Sequence, residues 1–321
     1  MSAPVFLPPG SRFGIFAPAG LTQGARLQTV KAVLAQEGYP VRTGFKACKS
    51  FRKYLAGTDL ERLESFKRLW AAEVDAFLAR RGGYGCQRLL GAIGDWSEVP
   101  NGKPIIGFSD LTALHLSRYK HTGAGGWHAA MADKLAVLGE GDRRDFFSGI
   151  SGLAESFWRL PKKSSLKPGE QESSGPLLGG NLATICALLG TGHLPSFDGA
   201  VLMLEEVNEE GYRVDRLLTS LFMSIDPGRL KGLVFGDFHH CGPPAVVKSI
   251  LKEAASYLSQ DAPAVMGAPF GHFSPNRPWW IGETARLSAS AETGLAVLRF
   301  LERGDCSGDG QPELPGDPGG R

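Results

Sequence analysis

Short apolar runs of strand length alternate with stretches of helical period through the first third of the chain, and that alternation narrows the fold more than any other feature. Residues 13–16 read as a strand that ends in the turn Ala17-Pro18-Ala19-Gly20. A helix is expected over 22–37, with Leu27, Val30, Val33 and Leu34 on its buried face and Gly38 at its C-terminal cap. Residues 39–43 can form a second strand. Thr58 and Glu61 have the spacing of a capping box, followed by the apolar stripe Leu60, Leu63, Phe66, Leu69 and Trp70. A third strand is expected over 74–79; Arg81-Gly82-Gly83-Tyr84-Gly85 breaks it, and 86–93 resumes as helix. Such alternation predicts a parallel sheet with helices on both faces. Ligands of such sheets bind beyond the carboxyl ends of the strands.

The fourth strand carries the stretch of most chemical interest. Pro104-Ile105-Ile106-Gly107-Phe108 is apolar and stops at Ser109-Asp110, where a helical pattern with Leu111 and Leu114 begins. A serine in that corner points out of the sheet beside the first N–H groups of the helix, which lack intrahelical partners and carry partial positive charge. This suits a nucleophile whose attack creates an oxyanion. Serine is also a favoured helix N-cap, and this segment alone is compatible with both roles.

Beyond it, a helix is expected over 142–160. The segment 161–175, rich in Pro, Gly, Ser and charge, reads as a linker. It divides the chain into an N-terminal domain, 1–160, and a C-terminal domain, 176–303; a Gly-, Pro- and Asp-rich tail over 304–321 reads as disordered. In the second part, strands are expected at 200–204, 231–236 and 263–266, and helices at 212–223 and 244–258. The formal net charge of the 321 residues is +2, which calls for neither nucleic acid nor an anionic membrane as partner. Residues 1–9 lack the basic leader and apolar core of a signal peptide, and no apolar run has the length of a bilayer span. The five cysteines are scattered without a CxxC, which suggests idle thiols in a reducing compartment rather than a metal site or redox pair.

Three residues could form a hydrolytic site: Ser109 as nucleophile, His272 in a glycine-bounded loop as base, and Glu205 at a strand end as the acid that orients it. Glu205 has Glu206, Glu209 and Glu210 as neighbours and also fits a solvated acidic loop. His239 and His240, with Asp237, could suggest a metal, but no further ligand lies at zinc-like spacing. The glycines of 81–85 fit an ordinary turn, or would let a backbone N–H approach an oxyanion closely. Neither a P-loop, a GxGxxG nor a GxSxG is present, so nucleotide binding and an ordinary α/β-hydrolase are both poorly supported.

Several stretches together resemble the LD-carboxypeptidase family of serine peptidases, which includes the microcin C immunity proteins. They are Ala17-Pro18-Ala19-Gly20, Ala56-Gly57-Thr58-Asp59-Leu60-Glu61-Arg62, Arg81-Gly82-Gly83-Tyr84-Gly85, Gly107-Phe108-Ser109-Asp110, Gly179-Gly180-Asn181-Leu182, Leu204-Glu205-Glu206, Tyr212-Arg213-Val214-Asp215-Arg216 and Gly271-His272. The resemblance implies an α/β protein with an N-terminal flavodoxin-like (class I glutamine amidotransferase-like) domain and a smaller β-rich C-terminal domain. It implies a Ser109–Glu205–His272 triad with an oxyanion hole at the N–H groups of Gly83 and Asp110, and no cofactor or metal. The implied reaction is removal of the terminal D-alanine from murein tetrapeptides during cytoplasmic recycling. Hydrolysis of a peptidyl-nucleotide antibiotic and a non-catalytic peptide-binding module are the alternatives. A cation should hold the substrate's free carboxylate, with Arg81 and Arg216 as candidates. The sequence leaves the assembly, monomer or homodimer, open. The family's usual His-Gly-Pro-Met is His128-Ala129-Ala130-Met131 here, and Trp279-Trp280 is unexpected; stem-peptide packing and core packing explain that pair about equally well.

Overall fold

The computed structural model describes residues 2–21, 27–45 and 50–303. The expected tail, the expected helix start at Thr22, and Cys48 and Cys306 lie outside them. The first sheet begins with β1 (Phe13–Phe16), β2 (Val41–Thr43), β3 (Ala76–Ala79), β4 (Ile105–Gly107) and β5 (Trp127–His128), all parallel, in the order β2-β1-β3-β4-β5. That is the flavodoxin-like order. β1, β3 and β4 are buried throughout, as their unbroken apolar runs require of strands covered on both faces. The capping box at Thr58 and Glu61 forms as expected and opens the helix Asp59–Trp70. Phe66 of that helix stacks on Phe16 at 4.6 Å and meets Phe77 edge-on at 5.1 Å.

The helix expected over 142–160 ends at Ser151, because Gly152, at φ +81°, turns the chain and donates its N–H to the carbonyls of Ser148 and Gly149. β6 (Phe157–Arg159) already belongs to the second sheet. The expected linker is likewise shorter than 161–175. β7 (Glu170–Asn181) starts inside it, its polar residues alternating on a half-solvated strand that the Ser- and Gly-rich composition disguises. β8 (Val201–Val207), β9 (Gly232–His239) and β10 (Ala264–Met266) follow in parallel with β7. β11 (Trp279–Trp280) returns to the first sheet, antiparallel to β5. β12 (Thr284–Ser290) and β13 (Ala296–Phe300) then complete an antiparallel half with β6, giving the order β10-β9-β8-β7-β12-β13-β6. The tryptophans of β11 are 0% and 2% exposed and serve the core, which decides between the two readings of that pair. Among the described residues no helix is long and apolar enough to cross a membrane.

The two sheets meet through the carboxyl ends of their parallel strands. Ser109 and the helix Thr112–Thr122 follow β4, and Thr112 Oγ1 accepts the N–H of Asn181 at the end of β7 over 3.0 Å. A Cβ on Gly180 would collide with the Thr112 side chain, so the glycine before Asn181 permits this close docking.

Candidate active site

Ser109 sits at φ +63°, in the left-handed region that an L-residue adopts only under constraint. Its side chain caps no helix: the hydroxyl is directed at His272, whose Nε2 lies 3.0 Å from Oγ. The other ring nitrogen, Nδ1, lies 2.6 Å from Glu205 Oε2. With Glu205 ionised, Nδ1–H donates to the carboxylate, and Nε2 is left to accept the hydroxyl proton. The three side chains named from the sequence therefore meet in one relay, drawn from the loops after β4 and β10 and from β8 itself. Glu205 lies within β8 rather than at its end and is fully buried, so the solvated acidic loop is not what forms there. Its second oxygen, Oε1, is buried and has no hydrogen-bond partner among the described residues.

Glu206 serves a different purpose. Its carboxylate accepts from Asn181 Nδ2 at 2.9 Å and from the N–H groups of Ala183 and Val207, each at 2.8 Å. It thus ties β8 to the start of the helix Leu182–Ala187 and leaves the neighbouring Glu205 to the imidazole. Burial pulls the His272 pKa down. The Glu205 hydrogen bond and the charges of Glu205, Glu206 and Asp237 push it up and prevail.

The glycine loop lies against Ser109: a Cβ on Gly82 would stand 3.5 Å from its Oγ. Gly83 is exposed, at φ +104°. Among the described residues neither its N–H nor that of Asp110 has a hydrogen-bond partner. The Asp110 carboxylate is buried and accepts the Cys86 N–H at 2.8 Å, which secures the end of the glycine loop. Burial raises the Asp110 pKa, against the Cys86 hydrogen bonds. Arg62, also buried, donates to the carbonyls of Pro18 and Gly85 and so joins the turn after β1 to this loop.

The two candidate cations separate. Arg81 adjoins Gly82, and its Nη1 donates to the Leu21 carbonyl at 3.0 Å. Arg216 is exposed on the helix Gly211–Ser224, its guanidinium 6.0 Å from the centroid of the Tyr212 ring. His128 is fully buried, stacked on Trp279 at 4.9 Å and 5.7 Å from Phe108, with both ring nitrogens unpartnered. Cys86 is buried with its thiol pKa pushed well above the usual value by that burial, as suits a structural thiol. Among the described residues no three His, Cys, Asp or Glu side chains are arranged to hold a metal, His239 and His240 included. A cavity of about 430 Å³ between Pro9, Tyr39 and Arg143 opens at the amino end of the first sheet and holds none of these residues.

The loop that carries His272 is moored to the first domain. Ser274 Oγ donates to Asp142, and Arg277 Nε donates to Asp145 at 3.0 Å, both on the helix Glu140–Ser151. The sequence gives no sign of these contacts, and although Asn181 and Glu206 fall in the matched segments, it assigns no role to them or to Thr112.

Residues 13–129 match the LD-carboxypeptidase N-terminal domain, and residues 174–287 match the LD-carboxypeptidase C-terminal domain. The murein tetrapeptide carboxypeptidase of Pseudomonas aeruginosa is 31% identical over 294 residues, covering 88% of this chain and 95% of that protein. The crystal structure of muramoyltetrapeptide carboxypeptidase from Oxalobacter formigenes superposes with a TM-score of 0.76 at 27% identity, covering 90% of this chain and 98% of that one. The microcin C7 self-immunity protein of Escherichia coli is 24% identical over 71% of this chain and 75% of its own length. The α/β fold, the order of the matched segments and these likenesses agree: the chain belongs to the LD-carboxypeptidase family of serine peptidases and is an enzyme of that family.

Proposed function

We propose that this enzyme removes the terminal D-alanine from murein tetrapeptides in the cytoplasm, as a step in the recycling of peptidoglycan fragments. The observation that carries the mechanism is the unbroken relay from Ser109 through His272 to the buried Glu205. Ser109 Oγ attacks the carbonyl of the penultimate residue as His272 Nε2 takes its proton. The N–H groups of Gly83 and Asp110 receive the oxyanion, each such donor being worth about 3 kcal/mol in the transition state. His272 then protonates the leaving amine, D-alanine departs, and a water activated by the same imidazole hydrolyses the acyl-enzyme. Arg81, beside the glycine loop, is the better placed cation for the free carboxylate; Arg216 faces solvent on its helix. The substrate assignment is supported by the P. aeruginosa and O. formigenes relatives.

The test is Ser109→Ala. The variant should fold and release no D-alanine from tetrapeptide above background; turnover equal to the parent would rule out the mechanism. The likeness to the microcin C7 self-immunity protein favours a second reading, cleavage of a peptidyl-nucleotide by the same triad. Parallel kcat/KM measurements on a tetrapeptide and a peptidyl-nucleotide decide between the two.

A further inference from the structure

His272 stands in a loop without helix or strand, yet its ring must hold two hydrogen bonds at once. The neighbouring strand shows what steadies it. Between β8 and β9 the register slips: Leu204 pairs with Phe235 but Glu206 with Phe238, so β9 carries one extra residue opposite Glu205. Such a bulge re-aims side chains, and here it falls at Gly236-Asp237. Asp237 then grips the His272 loop on both sides. Its backbone N–H donates to the Phe270 carbonyl at 2.9 Å, and its Oδ2 accepts the Phe273 N–H at 3.0 Å. Between these bonds Gly271, at φ +134°, packs so closely that a Cβ there would stand 2.8 Å from Asp237 Cβ.

We propose that Asp237 is a positioning residue for the reaction: it brackets residues 270–273 and, with its charge, joins the carboxylates that hold the imidazole of His272 ready for Ser109. This rests on the reading of His272 as the base. The ionisable groups facing that imidazole are Glu205 and Glu206 from β8, Asp237 from β9 and the buried His128 from β5. Those facing Asp237 are His239, His240, His272 and the buried Cys241. The bracket and the charge are separable. Asparagine at 237 keeps an acceptor for the Phe273 N–H but has no charge, whereas alanine keeps neither.

The experiment is the rate at which a fluorophosphonate labels Ser109 in the full chain, followed across pH, a readout that needs no assumption about the peptide. Asp237→Ala should slow labelling by about tenfold to a hundredfold, the cost of a loosened base. Asp237→Asn should label near the parent rate at high pH, with its acid-side midpoint moved to lower pH because one carboxylate no longer favours the imidazolium. Thermal melts establish that each variant is folded; should alanine prevent folding, the midpoint in Asp237→Asn carries the test alone. Parent-like labelling in a folded Asp237→Ala, or an unmoved midpoint in Asp237→Asn, overturns the proposal. His272→Ala is the control: if it labels as fast as the parent, it is the reading of His272 that fails, not the role of Asp237.

Discussion

Glu205→Gln isolates the contribution of one buried charge. The substitution keeps the shape of a side chain that is fully buried and removes the charge 2.6 Å from His272 Nδ1. In the proposed mechanism the imidazole becomes cationic in the transition state, so the lost attraction is paid there and not in the ground state. Charge centres about 4 Å apart at an effective dielectric constant of about 20 attract by about 4 kcal/mol. That corresponds to about a thousandfold in kcat, with KM little changed. A second effect adds to it. The amide can turn its NH2 toward Nδ1 and stabilise the tautomer that carries the proton on Nε2, which cannot accept from Ser109. The acid limb of the pH profile should also move. Burial lowers the His272 pKa and Glu205 leads the groups that raise it, so without that charge the midpoint falls to lower pH. Stability should not suffer, since Oε1 is buried without a partner and a neutral amide costs less to bury than a carboxylate. The assay is steady-state release of D-alanine across pH, beside a thermal melt. A kcat within tenfold of the parent, with an unmoved acid limb, would refute the electrostatic role given to Glu205.

Three further outcomes follow from strain and burial. Ser109→Gly should abolish turnover yet stabilise the fold by about 1 kcal/mol, because glycine relieves the left-handed backbone at that position; a urea midpoint at or below the parent value would contradict the strain. Gly83→Ala places a Cβ at φ +104° and should rotate its N–H away, lowering kcat by about a hundredfold with KM held, as single-turnover kinetics would show. His115 is buried, and that burial holds its pKa down at about 4 against an ordinary 6.5, opposed by its bond to Gly107. The unfolded chain therefore takes up the proton first: this stability is whole above pH 6.5 and declines toward pH 4 by up to about 1.4 kcal/mol per unit. His128, depressed in the same direction by burial, adds to the slope. Equal urea midpoints at pH 7.5 and 5 would exclude both contributions.

What the sequence disclosed divides along physical lines. Doubly covered parallel strands leave unbroken apolar runs, and β1, β3, β4, β8 and β10 were legible as such. The capping box at Thr58 was legible because two side chains at fixed spacing satisfy each other locally. The antiparallel pairings were not. β7 is polar over its first half, β12 and β13 alternate, and β11 is a pair of tryptophans whose placement depends on β5, about 150 residues earlier in the chain. The same contrast holds at the site. Ser109, Glu205 and His272 could be named from motifs, whereas Asp237 reaches the His272 loop through a one-residue bulge in β9, and no local pattern announces a bulge.

Ser109 lies in the match to the N-terminal domain and His272 in the match to the C-terminal domain, so the 3.0 Å between Oγ and Nε2 is a property of the interface between them. Thr112 docked on Asn181 fixes the segment after Ser109 against the second sheet. Ser274 and Arg277 fix the His272 loop against the helix Glu140–Ser151 of the first domain. Arg277 and Asp145 are 41% and 31% exposed, and an ion pair so placed contributes at most about 1 kcal/mol to stability. Geometry is far less forgiving: a displacement of about 1 Å can cost about a hundredfold in rate. Contacts that scarcely matter for folding can therefore matter a great deal for the distance between Oγ and Nε2. This also accounts for where the chain crosses between sheets. By returning to the first sheet as β11 directly after the His272 loop, the backbone itself anchors His272 to the domain that carries Ser109. A single linker joining two self-contained domains would leave that distance free to vary with their relative motion.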